Sequence, residues 1–244
     1  MAKLGGSRSR KREVLPAFYD VARKKHTFST NVKPGAHRKD LAYDPVTVLR
    51  DILKLGKDLQ EIKKTMSTGA FLVNGKPVKE YQMPIGLMDV LSIRGSETYY
   101  RLLPVNGKAL YPVSIDKAES EYRIGKIIRK TSISGGKYQY TCHDGTNYIT
   151  EASEYGVGDS LMISNVDGKI AQSFPLAKDS YALIFKGRRV GVVGKVIELL
   201  PSTFSRKGMI RLSVSNKVVT VPDDYVIIIG KESPAIKVPS GELP

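Results

Sequence analysis

The sequence predicts a multidomain, mainly β chain: a basic N-terminal arm, a small α+β unit, an antiparallel β middle domain and a small C-terminal β-barrel. Three observations carry this reading. Positive charge is concentrated at the start, helical periodicity is confined to one stretch near residues 44–69, and glycine-centred turns punctuate most of the chain beyond it. The expected units are 1–42, 43–95, 96–176 and 177–231, with 232–244 as an extended tail.

Of the 244 residues, 39 are Lys or Arg and 24 are Asp or Glu, a net charge of +15 that favours a polyanionic partner. Eleven basic and three acidic residues fall in the first forty positions, so more than half of the excess lies on one sixth of the chain. That segment has no apolar run suited to a signal peptide and no helical apolar stripe, and a transit peptide fits only its first dozen residues. It is expected to have no fold of its own. Arg8, Arg10, Lys11, Arg12, Arg23, Lys24, Lys25 and Lys33 are its candidate phosphate contacts. Phe18, Tyr19 and Phe28 lie between these clusters, where their rings are placed to stack on bases.

Other classes are excluded by what the chain lacks. No stretch approaches the roughly 18 apolar residues of a membrane span; the longest strongly apolar run is Tyr225 to Ile229. The single cysteine, Cys142, has no partner for an internal disulfide and no CxxC companion, consistent with a reducing cytosol.

The first folded unit opens at "YDPVTVLRDILKLG". Asp44 suits an N-cap, Pro45 suits the first helical position, and Val46, Leu49 and Leu53 recur at helical spacing. Asp58 and Glu61 read as a capping box for a second helix, with Leu59, Ile62 and Met66 on one face and Gly69 at its end. Lys57 and Lys64 fall opposite that face and Lys63 on its shoulder. In "AFLVNGKPV", Asn74-Gly75 supplies the positive φ angles of a type I′ hairpin, with Lys76 just beyond.

This helix, helix, hairpin order, with the helix-end glycine, the "VNG" turn and "GLMDVLSI", resembles the αL RNA-binding motif. "GLMD" is a variant of that motif's usual proline-glycine-aspartate strand start. The resemblance implies basic residues on the second helix, where Lys63 and Lys64 match, and an arginine at the position held by Gln60. Across nearly the whole chain, "KPGAH", "MPIGLMDVLSI", "CHDGTN" and "YGVGDSLMI" resemble, in this order, protein four of the small ribosomal subunit, archaeal/eukaryotic type, of archaeal length. Tyr19 stands where that family is expected to carry tryptophan.

Downstream, Asn106-Gly107, Gly135-Gly136, Asp144-Gly145 and Asp167-Gly168 separate segments rich in β-branched and aromatic residues, which argues for antiparallel strands. His143 beside Asp144 does not suit general-base chemistry, because adjacent residues on a tight turn point apart. In "FKGRRVGVVGKVIEL" the glycines match neither a Walker loop nor a dinucleotide fingerprint. Between strand-like flanks they mark turns or close backbone approaches. The stretch resembles a KOW motif, the core of an SH3-like barrel that "MIRLSV", "KVVTVP" and "YVIII" would complete. Gly187, Gly191 and Gly194 are its expected structural glycines; Arg188, Arg189 and Lys195 are its candidate RNA contacts.

These readings together imply a structural constituent of the cytoplasmic small ribosomal subunit. Its expected partners are small-subunit ribosomal RNA and neighbouring ribosomal proteins, with no membrane, cofactor, metal, small-molecule substrate or catalytic residue. The alternatives are an RNA-modifying enzyme that docks RNA through the αL unit, or a KOW-type elongation factor.

Overall fold

A computed structural model describes residues 7, 9–16, 18–19, 21–22, 26–105, 108–151, 153–204, 206–214 and 217–238. The expected contacts Arg8, Arg23, Lys24 and Lys25, the Asn106-Gly107 turn and the end of the tail from 239 lie outside these. The fold is mainly β, with three five-stranded antiparallel sheets and a two-stranded ribbon among the described residues. The ribbon pairs β1 (Ser9–Lys11) with β2 (Phe28–Thr30).

The first helix begins as read: the Asp44 carboxylate accepts the Thr47 N–H at 2.9 Å and the Thr47 hydroxyl at 2.8 Å. It then widens into a π-helix over Thr47–Ile52, in which Leu53 N–H reaches back five residues to Val48 O. This buries Val48 beside Val46 and Leu49 and leaves Leu53 half-buried. Helix α1 (Leu59–Ser67) buries Ile62 and Met66 and stops at Gly69, whose φ is +73°. The expected capping box does not form: Asp58 makes no side-chain cap, and Glu61 accepts the N–H of Lys57, one residue before the cap, at 2.8 Å.

The first sheet contains β3 (Phe71–Val73), β4 (Lys76–Pro77), β5 (Val90–Ile93), β6 (Tyr99–Val105) and β7 (Lys108–Ile115), in the order β4-β3-β5-β6-β7. Asn74 and Gly75 take φ of +51° and +76°, the left-handed pair that a type I′ turn demands. The sheet runs straight across the boundary expected at 95. Val90 pairs with Arg101 and Leu91 with Tyr100, so β6 and β7 extend the hairpin unit rather than opening a new one.

The short helix α2 (Lys117–Ser120) leads into the second sheet. This contains β8 (Tyr122–Ile133), β9 (Lys137–Cys142), β10 (Asn147–Thr150), β11 (Ser160–Ser164) and β12 (Ile170–Phe174), ordered β10-β9-β8-β11-β12. Gly135, Gly136, Gly145 and Gly168 all have positive φ in its turns. Its own core is small: Ile127, Tyr140, Cys142, Leu161 and Ile163. Arg101, fully buried, ties the first sheet to it by donating to the carbonyls of Glu119 and Tyr122, each at 2.7 Å. Burial brings that guanidinium pKa down to about 10 against the opposing pull of Glu119.

The third sheet is β13 (Tyr181–Ile184), β14 (Val193–Leu200), β15 (Met209–Val214), β16 (Lys217–Pro222) and β17 (Val226–Gly230), ordered β16-β15-β14-β13-β17. Gly187 and Gly191 have φ of +97° and +88° in the loop between β13 and β14. Gly194 serves by its missing side chain: a Cβ there would sit 2.7 Å from Val214 Cγ2 and 2.9 Å from Ser213 O. Gly194→Val is therefore expected to destabilise the fold by about 1–3 kcal/mol, the usual range for overpacking. A lowered urea midpoint at unchanged slope would show it.

Of the two expectations about the ends, one is corrected and the other gains contacts. The segment before residue 43 is not a free arm, because Phe18, Tyr19, Val21 and Val32 are buried, the first three in the main hydrophobic core. Four apolar side chains too scattered for a periodicity signal still contribute to a core built mostly from elsewhere. The tail is likewise packed as far as it is described. Ile236 is buried, Ala235 N–H donates to Ile229 O, and Lys237 pairs with Asp116. No helix among the described residues is long and apolar enough to cross a membrane.

Candidate nucleic-acid interface

The motifs that stand out in the sequence meet at one buried junction. Asp89 of "GLMD" accepts hydrogen bonds from Asn74 Nδ2 of "VNG" at 2.7 Å and from Gly86 N–H at 2.9 Å, and its Oδ2 lies 2.8 Å from Nε2 of His37 in "KPGAH". His143 of "CHDG" is held between the Leu87 carbonyl and the Lys126 N–H, both at 3.1 Å, with its ring 6.0 Å from that of His37. Space here is tight. A Cβ on Gly86 would enter the His37 ring, at 2.3 Å from Cγ, and one on Gly145 would lie 3.3 Å from Ala36 O.

Electrostatics at the junction are set by burial and pairing. Burial disfavours the His37 imidazolium, yet the Asp89 carboxylate outweighs it and raises the pKa. Burial likewise pushes Asp89 up, but His37, Gly86 and Asn74 hold it below the ordinary carboxylate range. His143, with no such partner, is lowered by burial. Asp144 turns away from it, 3.2 Å from Arg123 Nε, and burial pushes the Cys142 thiol up to about 12. No group of three or more His, Cys, Asp or Glu among the described residues is placed to hold a metal.

Among the candidate contacts, Lys11, Lys33, Lys57, Lys64, Lys76, Arg188, Arg189 and Lys195 are exposed. Arg10 and Arg12 are half-buried. Two exposed lysines are already paired, Lys33 with Glu80 and Lys195 with Asp179, each at 2.9 Å. Lys63 is half-buried with its ammonium 4.3 Å from the centre of the Tyr81 ring, so it packs as well as carrying charge. Tyr19 is a correction. Only 7% exposed, it packs against Phe18 and Tyr43 at ring distances of 5.2 and 4.9 Å, and its hydroxyl faces Ala42 O and Asp44. A ring so enclosed has no face left for a base.

Two neighbouring hollows are not legible in the sequence. One, of about 550 Å³, lies where His37, Leu87, His143 and Tyr225 bring the arm and all three sheets together, and Arg38, Lys186 and Lys207 line it. The other, of about 860 Å³, is lined by Lys33, Arg38 and Lys39 together with Asn31 and Gln82. The cations of the first come from segments far apart in the chain, so no local pattern announces them. Lys126 carries no sequence signal either: buried, it donates to Asp223 O at 2.6 Å, and burial lowers its pKa to about 8.

The family model described as ribosomal family S4e matches residues 96–170. Two similar curated proteins are the small ribosomal subunit proteins eS4 of Staphylothermus marinus, 34% identical with 99% of each chain covered, and of Methanothermobacter thermautotrophicus, 32% identical over 99% of this chain and 100% of the relative. The crystal structure of 30S ribosomal protein S4e from Thermoplasma acidophilum is similar at a TM-score of 0.68 and 26% identity, covering 79% of this chain and 97% of that one.

Proposed function

The chain belongs to ribosomal family S4e, and on that premise we propose that it is a structural constituent of the cytoplasmic small ribosomal subunit, bound to ribosomal RNA and neighbouring ribosomal proteins and performing no chemistry of its own. The observation that carries this is the end-to-end likeness to small-subunit proteins in a chain of net charge +15. We take residues 43–95 as an αL unit whose sheet β6 and β7 extend to Ile115, the second sheet as the middle β region, and 177–231 as a KOW barrel. The hairpin and helix α1 support the first assignment. The glycine geometry between β13 and β14 supports the last.

Mechanistically, the exposed lysines and arginines replace counterions condensed on RNA, and the packed modules fix where those charges sit. Lys57, Lys64 and Lys76 would serve the αL face, and Arg188 and Arg189 the barrel loop. Lys11, Lys33, Arg38 and Lys39 are carried by a segment packed into the fold. If about six to eight side chains meet phosphate, affinity for small-subunit RNA should fall with salt at a log-log slope of about −4 to −7. Binding measured across a salt series, beside co-sedimentation with small subunits, tests this. A slope flatter than about −2 contradicts the electrostatic mechanism, and absence from washed subunits contradicts the assignment.

A further inference from the structure

The loop from Pro201 to Gly208 joins β14 to β15. Within it Thr203 and Arg206 form an antiparallel bridge, with Thr203 N–H donating to Arg206 O at 2.9 Å and Arg206 N–H to Thr203 O at 3.2 Å. Phe204 thus lies at the tip of a closed turn. Phe204 at that tip is 111% exposed, ahead of Val166 at 80% among the described large apolar residues. The fold draws no packing from this ring. The closed turn nevertheless fixes the backbone that carries it.

The surroundings indicate what the ring is for. No acidic residue lies between Pro201 and Gly208, and Arg206 and Lys207 come just after the tip, both exposed. Lys207 sits 2.9 Å from Asp224 and lines the central hollow beside Arg38 and Lys186, so the loop borders a local gathering of cations. A flat ring on a fixed tip, with cations on one side, suits a base whose face is free and whose phosphates lie alongside. An apolar protein pocket would be served as well by an aliphatic side chain and would draw nothing from the cations.

We propose that Phe204 stacks on an unpaired base of small-subunit ribosomal RNA, with Arg206 and Lys207 on the adjoining phosphates. This rests on the RNA-binding function proposed for the chain. The test measures binding of the full chain, and of its F204A, F204L and F204W variants, to small-subunit ribosomal RNA of the same organism transcribed in vitro. A photoreactive phenylalanine analogue at 204 in purified subunits completes it.

Because stacking on an aromatic ring is worth about 1–3 kcal/mol per base, F204A and F204L should each lose roughly 5- to 150-fold in affinity. F204W should bind as the unchanged protein does, and the crosslink should fall on a single-stranded nucleotide. Unchanged affinity in F204A, full affinity in F204L, or a crosslink to protein alone would overturn the proposal. Those outcomes leave a steep salt dependence of the unchanged protein intact, whereas weak, salt-insensitive binding by that protein overturns the parent reading as well.

Discussion

A chain lacking residues 1–40 is expected to unfold its first sheet and to melt far below the full-length protein. Phe18, Tyr19, Val21 and Val32 are 8%, 7%, 5% and 3% exposed, and the first three belong to the main core. At about 1.5–3 kcal/mol for each buried side chain, their loss removes roughly 6–12 kcal/mol. That figure is an upper estimate because an unfolded chain already buries part of this surface. Even half of it is comparable with the about 5–15 kcal/mol that holds a typical domain together. Circular dichroism melts and urea titrations of the two chains measure the difference. A truncated protein melting within a few degrees of the intact one would restore the free arm expected from the sequence.

Asp89→Ala should be the most damaging single substitution, at about 3–5 kcal/mol, the range for removing one partner of a buried ion pair. It strips acceptors from His37, Asn74 and the Gly86 N–H together. The effect should depend on pH with a sign set by three groups. Asp89 is lowered, so its contribution is present above the unfolded carboxylate value near ~3.9 and lost as pH falls through the depressed value. His37 is raised, so its contribution is full below ~6.5 and lost as pH rises through the raised value. His143 is lowered and works the other way, opposing the fold as pH falls below ~6.5. The gap between wild type and variant should therefore be widest between about pH 4 and 6.5. A gap that does not vary over pH 3–9 would mean that the pair is not ionised in the fold.

Local chemistry is legible where it is self-contained. The Asn74-Gly75 turn, the Asp44 cap, the end of helix α1 at Gly69 and the strand segments that form the third sheet can each be read from a few adjacent residues. The hidden part depends on long-range partners. Nothing near Tyr19 says that Tyr43 will cover it, and nothing near Arg101 says that the carbonyls of Glu119 and Tyr122 will receive it. The motifs themselves are recognisable, but not their convergence on His37 and Asp89. Met88 shows how a variant motif is absorbed. It holds φ at +67°, a backbone that favours the glycine of the usual form, while its side chain is buried and its N–H donates to Leu102 O.

The placement of the arm also sets a timetable for the chain during its own synthesis. Tyr43 Oη lies 2.8 Å from Phe18 O and 3.1 Å from Leu110 O, and the loop holding Ala36 and His37 packs against Gly145 and His143. Residues made first are thus seated against residues made about a hundred positions later. At roughly 5–20 residues per second, the most basic stretch of the nascent protein waits about 5–20 s without its docking site. For that interval its charges and rings are accessible to any polyanion or chaperone nearby.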